Sequence, residues 1–246
     1  MQPNTDSSPE DPRWLVRCTK HLRPWGSLLL FLLVIPNVRA SDVLIRSQIA
    51  PQRATFGRYL EGLQERDPFA ECGPVGVSIQ ASLPDLYKEA GVVAIRKTGE
   101  HERSEYAFLA AVGDGGVAEE VIARYLEVHK ERENLPVSSI AITPVNYKFR
   151  FAGEVRTGGT AAYIYDVIPK KNRPGLIVGK LWMDSKTGHE VMLTGRLMDT
   201  PSIGQHVDLV RDTKLLDGAA YARVTHLAFA VPRLGRAELV ITEILP

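Results

Sequence analysis

Residues Gly175–Leu197, GLIVGKLWMDSKTGHEVMLTGRL, decide the fold of this chain. Apolar residues alternate with other residues on both sides of the polar segment Asp184–Gly188. A period of two places successive side chains on opposite faces of a β-strand. Asp, Ser and Gly favour a tight turn, because polar side chains bond nearby backbone N–H groups and Gly tolerates positive φ. The stretch therefore predicts a β-hairpin, with Asp184 capping the turn and Leu181 and Trp182 on opposite faces.

The rest of the chain repeats this pattern. From Val137 to the C-terminus, alternating runs are separated by short turns rich in Gly and Pro, and residues 75–113 also have the pattern of β structure. Helical spacing of apolar residues occurs within Ser41–Arg66 and Val117–Asn134. There is no βαβ rhythm and no low-complexity linker. We therefore predict a single β-rich domain over residues 41–246, of the α+β class and mainly antiparallel β, with a curved sheet or half-open barrel covered by about two helices.

Residues 1–40 predict a secretory signal peptide. Four basic residues precede the apolar run Leu28–Ile35, Pro36 ends that run, and Val38 and Ala40 occupy positions −3 and −1 of a cleavage site. The run is shorter than the roughly 20 apolar residues that span a bilayer. We predict cleavage near Ala40 and a periplasmic or secreted protein that is not transmembrane after cleavage. The alternative is an uncleaved N-terminal anchor.

Charge gives no sign of a nucleic-acid partner. The formal net charge of the chain is +1, so no chain-wide field attracts nucleic acid or an anionic membrane. The densest basic cluster beyond the signal is Lys170, Lys171 and Arg173, which lies in a predicted turn between Pro169 and Pro174. By sequence it is too small to define a nucleic-acid site.

No stretch carries a catalytic motif. There is no nucleophile elbow and no paired-His metal motif, and Gly113–Gly116 lacks the Lys-Ser/Thr of a phosphate loop. Cys72 has no neighbouring base and is expected to be an unreactive thiol. The best candidate set is His206, Asp208 and His226, since strand residues can meet across a sheet as two-His-plus-carboxylate. Scattered strand histidines are more often structural or solvated, so we predict no enzyme, no cofactor and no metal.

Five aromatic residues on predicted strands are the candidate ligand-binding side chains. They can stack on a ligand or line a cavity, and packing in the core is the alternative. A curled antiparallel sheet can enclose a cavity for an apolar ligand. The candidates are Tyr147, Phe149, Tyr163, Tyr165 and Trp182.

Residues Ala162–Lys170, Gly179–Asp184 with Thr187-Gly188, and Asp217-Gly218 resemble the outer-membrane lipoprotein-sorting and carrier proteins, a LolA/RseB-like superfamily. The shared pattern is a strand ending in Pro-Lys, a K-L-W-x-D-x-x-T-G hairpin and a later strand ending at a D-G turn. The resemblance covers Val145 to the C-terminus, and residues 69–116 have no recognisable counterpart. It implies one curved antiparallel sheet with helices on the concave side. It also implies binding of acyl chains or lipidated proteins, or sensing of them through a partner.

Together these observations predict an exported, non-enzymatic protein that binds a hydrophobic ligand, an acyl chain or a lipoprotein, in a half-barrel. The alternative is a periplasmic protein–protein interaction or sensor module without a lipid cavity. Such a module would use an exposed edge strand or an apolar surface patch.

Overall fold

The computed structural model describes residues 49–63, 73–98, 104–157, 160–198, 207–216 and 219–245. The predicted signal peptide with its cleavage site near Ala40, and also Cys72 and His206, lie outside the described residues. Among the residues described, no helix has the length and apolar character needed to cross a membrane.

Ten antiparallel strands form one open sheet, as the sequence predicts. The strand order is β3-β2-β1-β10-β9-β8-β7-β6-β5-β4, so β3 and β4 are the two edges. The strands are β1 (Val75–Leu83), β2 (Lys88–Thr98), β3 (Ser104–Gly113), β4 (Tyr147–Thr157), β5 (Thr160–Pro169), β6 (Ile177–Asp184), β7 (Glu190–Leu197), β8 (Val207–Leu216), β9 (Ala219–Val231) and β10 (Gly235–Ile244).

Helices cover one face of the sheet, which we call the inner face. They are α1 (Ile49–Gly62), α2 (Gly115–Val117), which continues through a π-helical turn (Ala118–Ala123) into α3 (Arg124–Glu133), and a short α4 (Val137–Ile140). The Asp114 side chain accepts a hydrogen bond from the Val117 N–H at 3.1 Å and caps the start of α2. The two predicted helices are therefore present.

The second helical segment is tied to the edge of the sheet. Glu133 accepts a hydrogen bond from the Ser104 N–H of β3 at 3.2 Å and lies 3.3 Å from Nδ1 of His129. Burial alone would raise the pKa of Glu133, but the hydrogen bonds from His129 and Ser104 outweigh it and lower that pKa to about 2. The carboxylate therefore stays charged and links α3 to β3.

The sheet joins the two ends of the described chain. The N-terminal strand β1 pairs with the C-terminal strand β10, with Val77 opposite Glu243 and Ala81 opposite Leu239. Inner-face side chains of these strands, such as Ile79, form the hydrophobic core with Val121 of the π turn. Residues 69–116, which lack a counterpart in the resemblance, thus supply three strands of the same sheet.

The hairpin predicted from Gly175–Leu197 is β6–β7. Leu181 lies on the inner face with no exposed surface, and Trp182 lies on the outer face opposite Ile164 and Met192. Gly179 pairs with Gly195 across the hairpin. A Cβ added to Gly179 would lie 1.9 Å from the carbonyl oxygen of Thr194, so the backbone of β7 occupies the place of a side chain.

The outer face carries an ion ladder over three adjacent strands. Asp166 on β5 accepts hydrogen bonds from Arg150 on β4 at 2.7 Å and from Lys180 on β6 at 2.7 Å. The hydrogen bonds from Lys180 and Arg150 hold the pKa of Asp166 below its ordinary value of 3.8. Charged side chains therefore mark which face of β4, β5 and β6 meets water.

We expect Gly179→Ala to lower the free energy of unfolding by about 3 kcal/mol, because the new methyl group must push the β6 and β7 backbones apart. Urea denaturation measures this. Gly57→Ala is the matched control: the same methyl group in α1 meets nothing within 4 Å and is expected to stabilise the helix by roughly 0.5–1 kcal/mol. Equal effects of the two substitutions would contradict the close approach.

We expect Asp166→Asn to destabilise the protein by about 1 kcal/mol or less at neutral pH. The pKa of Asp166 is lower in the folded state, so its contribution is complete above its ordinary value of 3.8 and is lost as the pH falls below it. The difference between wild type and variant should therefore disappear in acid. Unfolding curves between about pH 7 and pH 3 measure it, and a pH-independent difference would contradict the ion ladder.

Candidate ligand-binding face

Four of the five predicted aromatic residues lie on the inner face, on the last two strands of the sheet. Tyr147 and Phe149 belong to β4, and Tyr163 and Tyr165 belong to β5. Trp182 projects from the outer face of β6 and is not part of this group. The five residues therefore do not line a single surface.

Two further aromatic residues complete an aromatic cluster, defined here as Phe56, Tyr147, Phe149, Phe151, Tyr163 and Tyr165. The Phe56 ring, from α1, packs edge-on against Phe149 at 4.8 Å between centroids and lies 5.5 Å from Tyr165. Phe151 of β4 packs edge-on against Tyr165 at 5.6 Å. Edge-to-face contacts at these distances stabilise aromatic packing.

The hydroxyl groups of the cluster are neutral, and those of Tyr147 and Tyr165 are hydrogen-bonded. Burial raises the pKa of Tyr165 to about 12, and burial also raises the pKa values of Tyr147 and Tyr163. The Tyr165 hydroxyl donates to the Gln52 carbonyl oxygen at 3.1 Å, and the Tyr147 hydroxyl accepts from the Ile177 N–H at 3.0 Å. The cluster is thus an uncharged aromatic surface without a phenolate nucleophile.

Helix α1 covers the aromatic cluster and is held by the turn of the β6–β7 hairpin. The Ser185 carbonyl oxygen accepts hydrogen bonds from the Thr55 hydroxyl at 2.8 Å and from the Arg58 guanidinium at 2.9 Å. Gly188 has a φ of +80°, and a Cβ added there would lie 2.8 Å from the backbone nitrogen of Tyr59. The helix can approach this closely only because residue 188 has no side chain.

Asp184 shapes that turn, which agrees with its interpretation as a cap. Its buried carboxylate accepts hydrogen bonds from the backbone N–H groups of Lys186 at 2.9 Å and Thr187 at 2.7 Å, and from the Thr187 hydroxyl at 3.0 Å. A carboxylate with three local donors fixes backbone geometry. Asp184 therefore acts on α1 indirectly, by presenting the Ser185 carbonyl to it.

Ion pairs lie on the inner face beyond the aromatic cluster, on β2 and β7–β10. Arg211 of β8 makes a two-pronged contact with Glu190 of β7, at 2.7 and 2.9 Å. Further along the sheet, Glu243 lies 2.5 Å from Arg96 and 3.9 Å from Arg223. Burial tends to lower the pKa of Arg96, but Glu243 outweighs it, so that pKa is raised. These charged groups satisfy one another within the inner face.

Of the candidate metal-binding or catalytic residues, the structure describes Asp208 and His226. Asp208 and His226 are on adjacent strands of the outer face, but Asp208 lies opposite Ala228 and is 3.2 Å from Arg196. His206 lies outside the described residues. Within the described part of the chain, no three side chains of the metal-binding types come together.

The opposite edge of the sheet exposes apolar side chains. Phe108, Leu109 and Val112 of β3 are all exposed, and among the strands that the structure describes β3 pairs only with β2. An outer-face groove of about 470 Å³ runs beside this edge, lined in part by Glu89 and Val93. An unpaired apolar edge strand is a surface on which another strand can add.

The sequence reasoning did not include Phe56 and Phe151 among the candidates. Phe151 lies two residues after Phe149 on the same strand. Because side chains alternate between the two faces of a strand, the sequence predicts that both rings lie on the same face. The charges of the ion ladder identify the face of Lys180, and hence of Trp182, as the outer one. Phe56 could not be assigned in this way, because its position depends on where α1 meets the sheet.

Comparison with models of protein families and with curated protein sequences found no match. Among solved structures, the chain is similar to the LolA superfamily protein NE2245 from Nitrosomonas europaea, with 11% identity, a TM-score of 0.36, and coverage of 79% of this chain and 93% of that one. It is also similar to MucB (13%, 0.28, 78% and 94%) and to an outer membrane lipoprotein-sorting protein domain from Vibrio parahaemolyticus (9%, 0.30, 75% and 89%).

We expect Gly188→Ala to loosen α1 and expose the aromatic cluster, because the new methyl group collides with the helix backbone. Gly73→Ala is the matched control: Gly73 has the same φ of +80°, but nothing lies within 4 Å of its added Cβ. Gly188→Ala should therefore cost about 1–3 kcal/mol more in unfolding free energy and should increase the fluorescence of anilinonaphthalene sulfonate. Equal behaviour of the two variants would contradict the contact between the turn and α1.

Proposed function

We propose that this protein is an exported, non-enzymatic binding protein that holds a hydrophobic ligand, an acyl chain or the acyl group of a lipoprotein, against the inner face of its half-barrel. Four of the proposed ligand-binding residues are among the five aromatic candidates predicted from the sequence, and Phe151 is added to them. The four are Tyr147, Phe149, Tyr163 and Tyr165. Trp182 is left out because it projects from the opposite face.

The position of the aromatic cluster at an open edge of the sheet is the observation that supports this proposal. β4 is an edge strand, and its side chains Phe149 and Phe151 are only partly buried. An apolar chain can therefore reach the cluster from the side of β4 without separating two paired strands. Burial of the apolar chain against such a surface is favourable by about 25 cal/mol per Å² of apolar surface removed from water.

Helix α1 occupies the place that the ligand would take. Phe56 fills the centre of the aromatic cluster, so ligand entry requires α1 to move. The polar contacts that hold α1 in place include two hydrogen bonds to the Ser185 carbonyl, one from the Tyr165 hydroxyl to the Gln52 carbonyl and one from the Tyr59 hydroxyl to the Ile142 carbonyl, each contributing roughly 1 kcal/mol. An acyl chain that replaces Phe56 in its aromatic contacts can offset this cost.

A second candidate function is protein–protein interaction at β3. The exposed apolar side chains Phe108, Leu109 and Val112 and the unpaired backbone edge support it. A partner strand would add to β3 by main-chain hydrogen bonds, with its side chains on alternate faces. This function leaves the inner face as a packed core.

We expect Phe151→Ser to weaken binding of a fluorescent long-chain fatty acid by about tenfold, because a buried phenyl contact contributes roughly 1.5–3 kcal/mol. Trp182→Ser is the matched control. It removes an aromatic ring from the outer face of the same sheet and should leave the affinity unchanged. Fluorescence titration of the purified full chain and both variants measures the difference, since the N-terminal apolar run is common to all three.

The same titration separates the two candidate functions. Equal affinities for wild type and Phe151→Ser, together with a native mass spectrum that shows no bound lipid, would contradict the carrier proposal. Leu109→Lys places a charge on the exposed edge strand. It should block addition of a partner strand but leave fatty-acid binding intact.

A further inference from the structure

One end of the sheet, where β4 begins and β5 ends, carries a surface that we call the basic tip. It consists of Val137, Val145, Lys148, Ile168, Lys170 and Lys171, all exposed. The two adjacent lysines belong to the basic cluster that is too small by sequence to define a site. The fold brings a third lysine and three aliphatic side chains beside them, since Lys148 lies opposite Ile168 in the β4–β5 pair.

A buried asparagine holds the basic tip in shape. The Asn146 amide donates hydrogen bonds to the carbonyl oxygens of Ser138 at 2.8 Å and Ala141 at 2.9 Å, and its own side-chain oxygen accepts from Arg173 at 2.9 Å. The Asn146 backbone oxygen also accepts from the Lys170 N–H at 2.8 Å. The segment from Val137, at the start of α4, to Val145 is thus fastened to the turn after β5.

This fastening displays aliphatic side chains to solvent. Val137 is 74% exposed, Val145 is 78% exposed and Ile168 is 46% exposed. Single exposed aliphatic residues are ordinary on protein surfaces. Here three exposed aliphatic residues lie beside three lysines at one end of the sheet, so this surface is both apolar and basic.

The basic tip has a charge of one sign. Residues 134–153 and 167–183 contain no Asp or Glu. Of the two acids between these stretches, Asp166 already accepts hydrogen bonds from two cations of the ion ladder, and the buried Glu154 pairs with Arg156. Lys148 and Lys171 make no ion pair with any residue that the structure describes. Among the described residues, this end of the sheet therefore carries lysines that no carboxylate pairs with.

We propose that the basic tip binds the surface of a bilayer that contains anionic lipids. Lysines near such a surface are attracted to the lipid head groups, and short aliphatic side chains between them enter the interfacial region. Lys148 and Ile168 project from the face of β4 and β5 opposite to the aromatic cluster, so the proposal holds whether or not the inner face carries a ligand.

The composition of the basic tip favours a bilayer over the other polyanions. A nucleic-acid surface would leave the aliphatic side chains without apolar contacts, and the tip carries no exposed aromatic side chain on which a base could stack. Val137 and Val145 are too exposed to bury the side chains of an acidic peptide. A fluid interface accommodates single projecting side chains.

The test is co-flotation of the purified full chain with vesicles of phosphatidylcholine alone and with about one-third phosphatidylglycerol. We expect binding to the anionic vesicles that weakens as ionic strength rises from about 0.1 M to about 0.5 M. Each lysine at an anionic surface accounts for roughly a five-fold change in partitioning, so Lys148→Gln with Lys171→Gln should lower it by about 25-fold.

Matched variants control for net charge and for surface hydrophobicity. Lys97→Gln with Lys130→Gln removes the same charge from two exposed lysines outside the tip and should leave partitioning within about two-fold. Val137→Ser with Val145→Ser should weaken binding, whereas Val112→Ser, at a valine of similar exposure (72%) on β3, should not. Thermal unfolding of every variant establishes that it folds.

Several results would overturn the proposal. They are no difference between anionic and neutral vesicles, equal losses in the tip and control lysine variants, and retention by immobilised polyglutamate or DNA without binding to vesicles. The last result would assign the basic tip to an acidic protein or to nucleic acid.

Discussion

The contact between α1 and the turn of the β6–β7 hairpin determines whether the aromatic half of the inner face is covered. The Asp184 carboxylate fixes the turn, the Ser185 carbonyl accepts two hydrogen bonds from α1, and Gly188 leaves room for the helix backbone. Three neighbouring residues of a local turn thus set a tertiary arrangement. The cover also includes the buried side chains of Thr55 and Tyr59, so the turn contact and the packing of α1 act together.

Charged side chains have different environments on the two faces of the sheet. On the outer face, the ladder centred on Asp166 keeps charges in water, where each pair contributes little stability but specifies which side of the strand is wet. On the inner face, Glu190 with Arg211 and Glu243 with Arg96 are taken out of water together and satisfy each other. We interpret the ion pairs of the inner face as specifying the register of the strands, because a shift in register would leave a buried charge without its partner.

Local patterns in the sequence predicted the strands, the hairpin turn and the two main helices, because alternation and turn chemistry act over a few residues. Periodicity also placed Leu181 and Trp182 on opposite faces, but only the charge of Lys180 beside Trp182 indicates which face is outer. The pairing of β1 with β10 and the position of Phe56 were beyond such reasoning. Both depend on contacts between segments that lie far apart in the chain.

The pairing of β1 with β10 has a consequence for the order in which the molecule can form. The last strand of the described chain lies in the interior of the sheet, between β1 and β9, and among the described strands β1–β3 reach the rest of the sheet through it. Until β10 arrives, the first hairpins have an unpaired edge and an uncovered apolar face. Contacts this distant in sequence form slowly, so a shortened or stalled chain would be a substrate for chaperones and proteases, not a partly active protein.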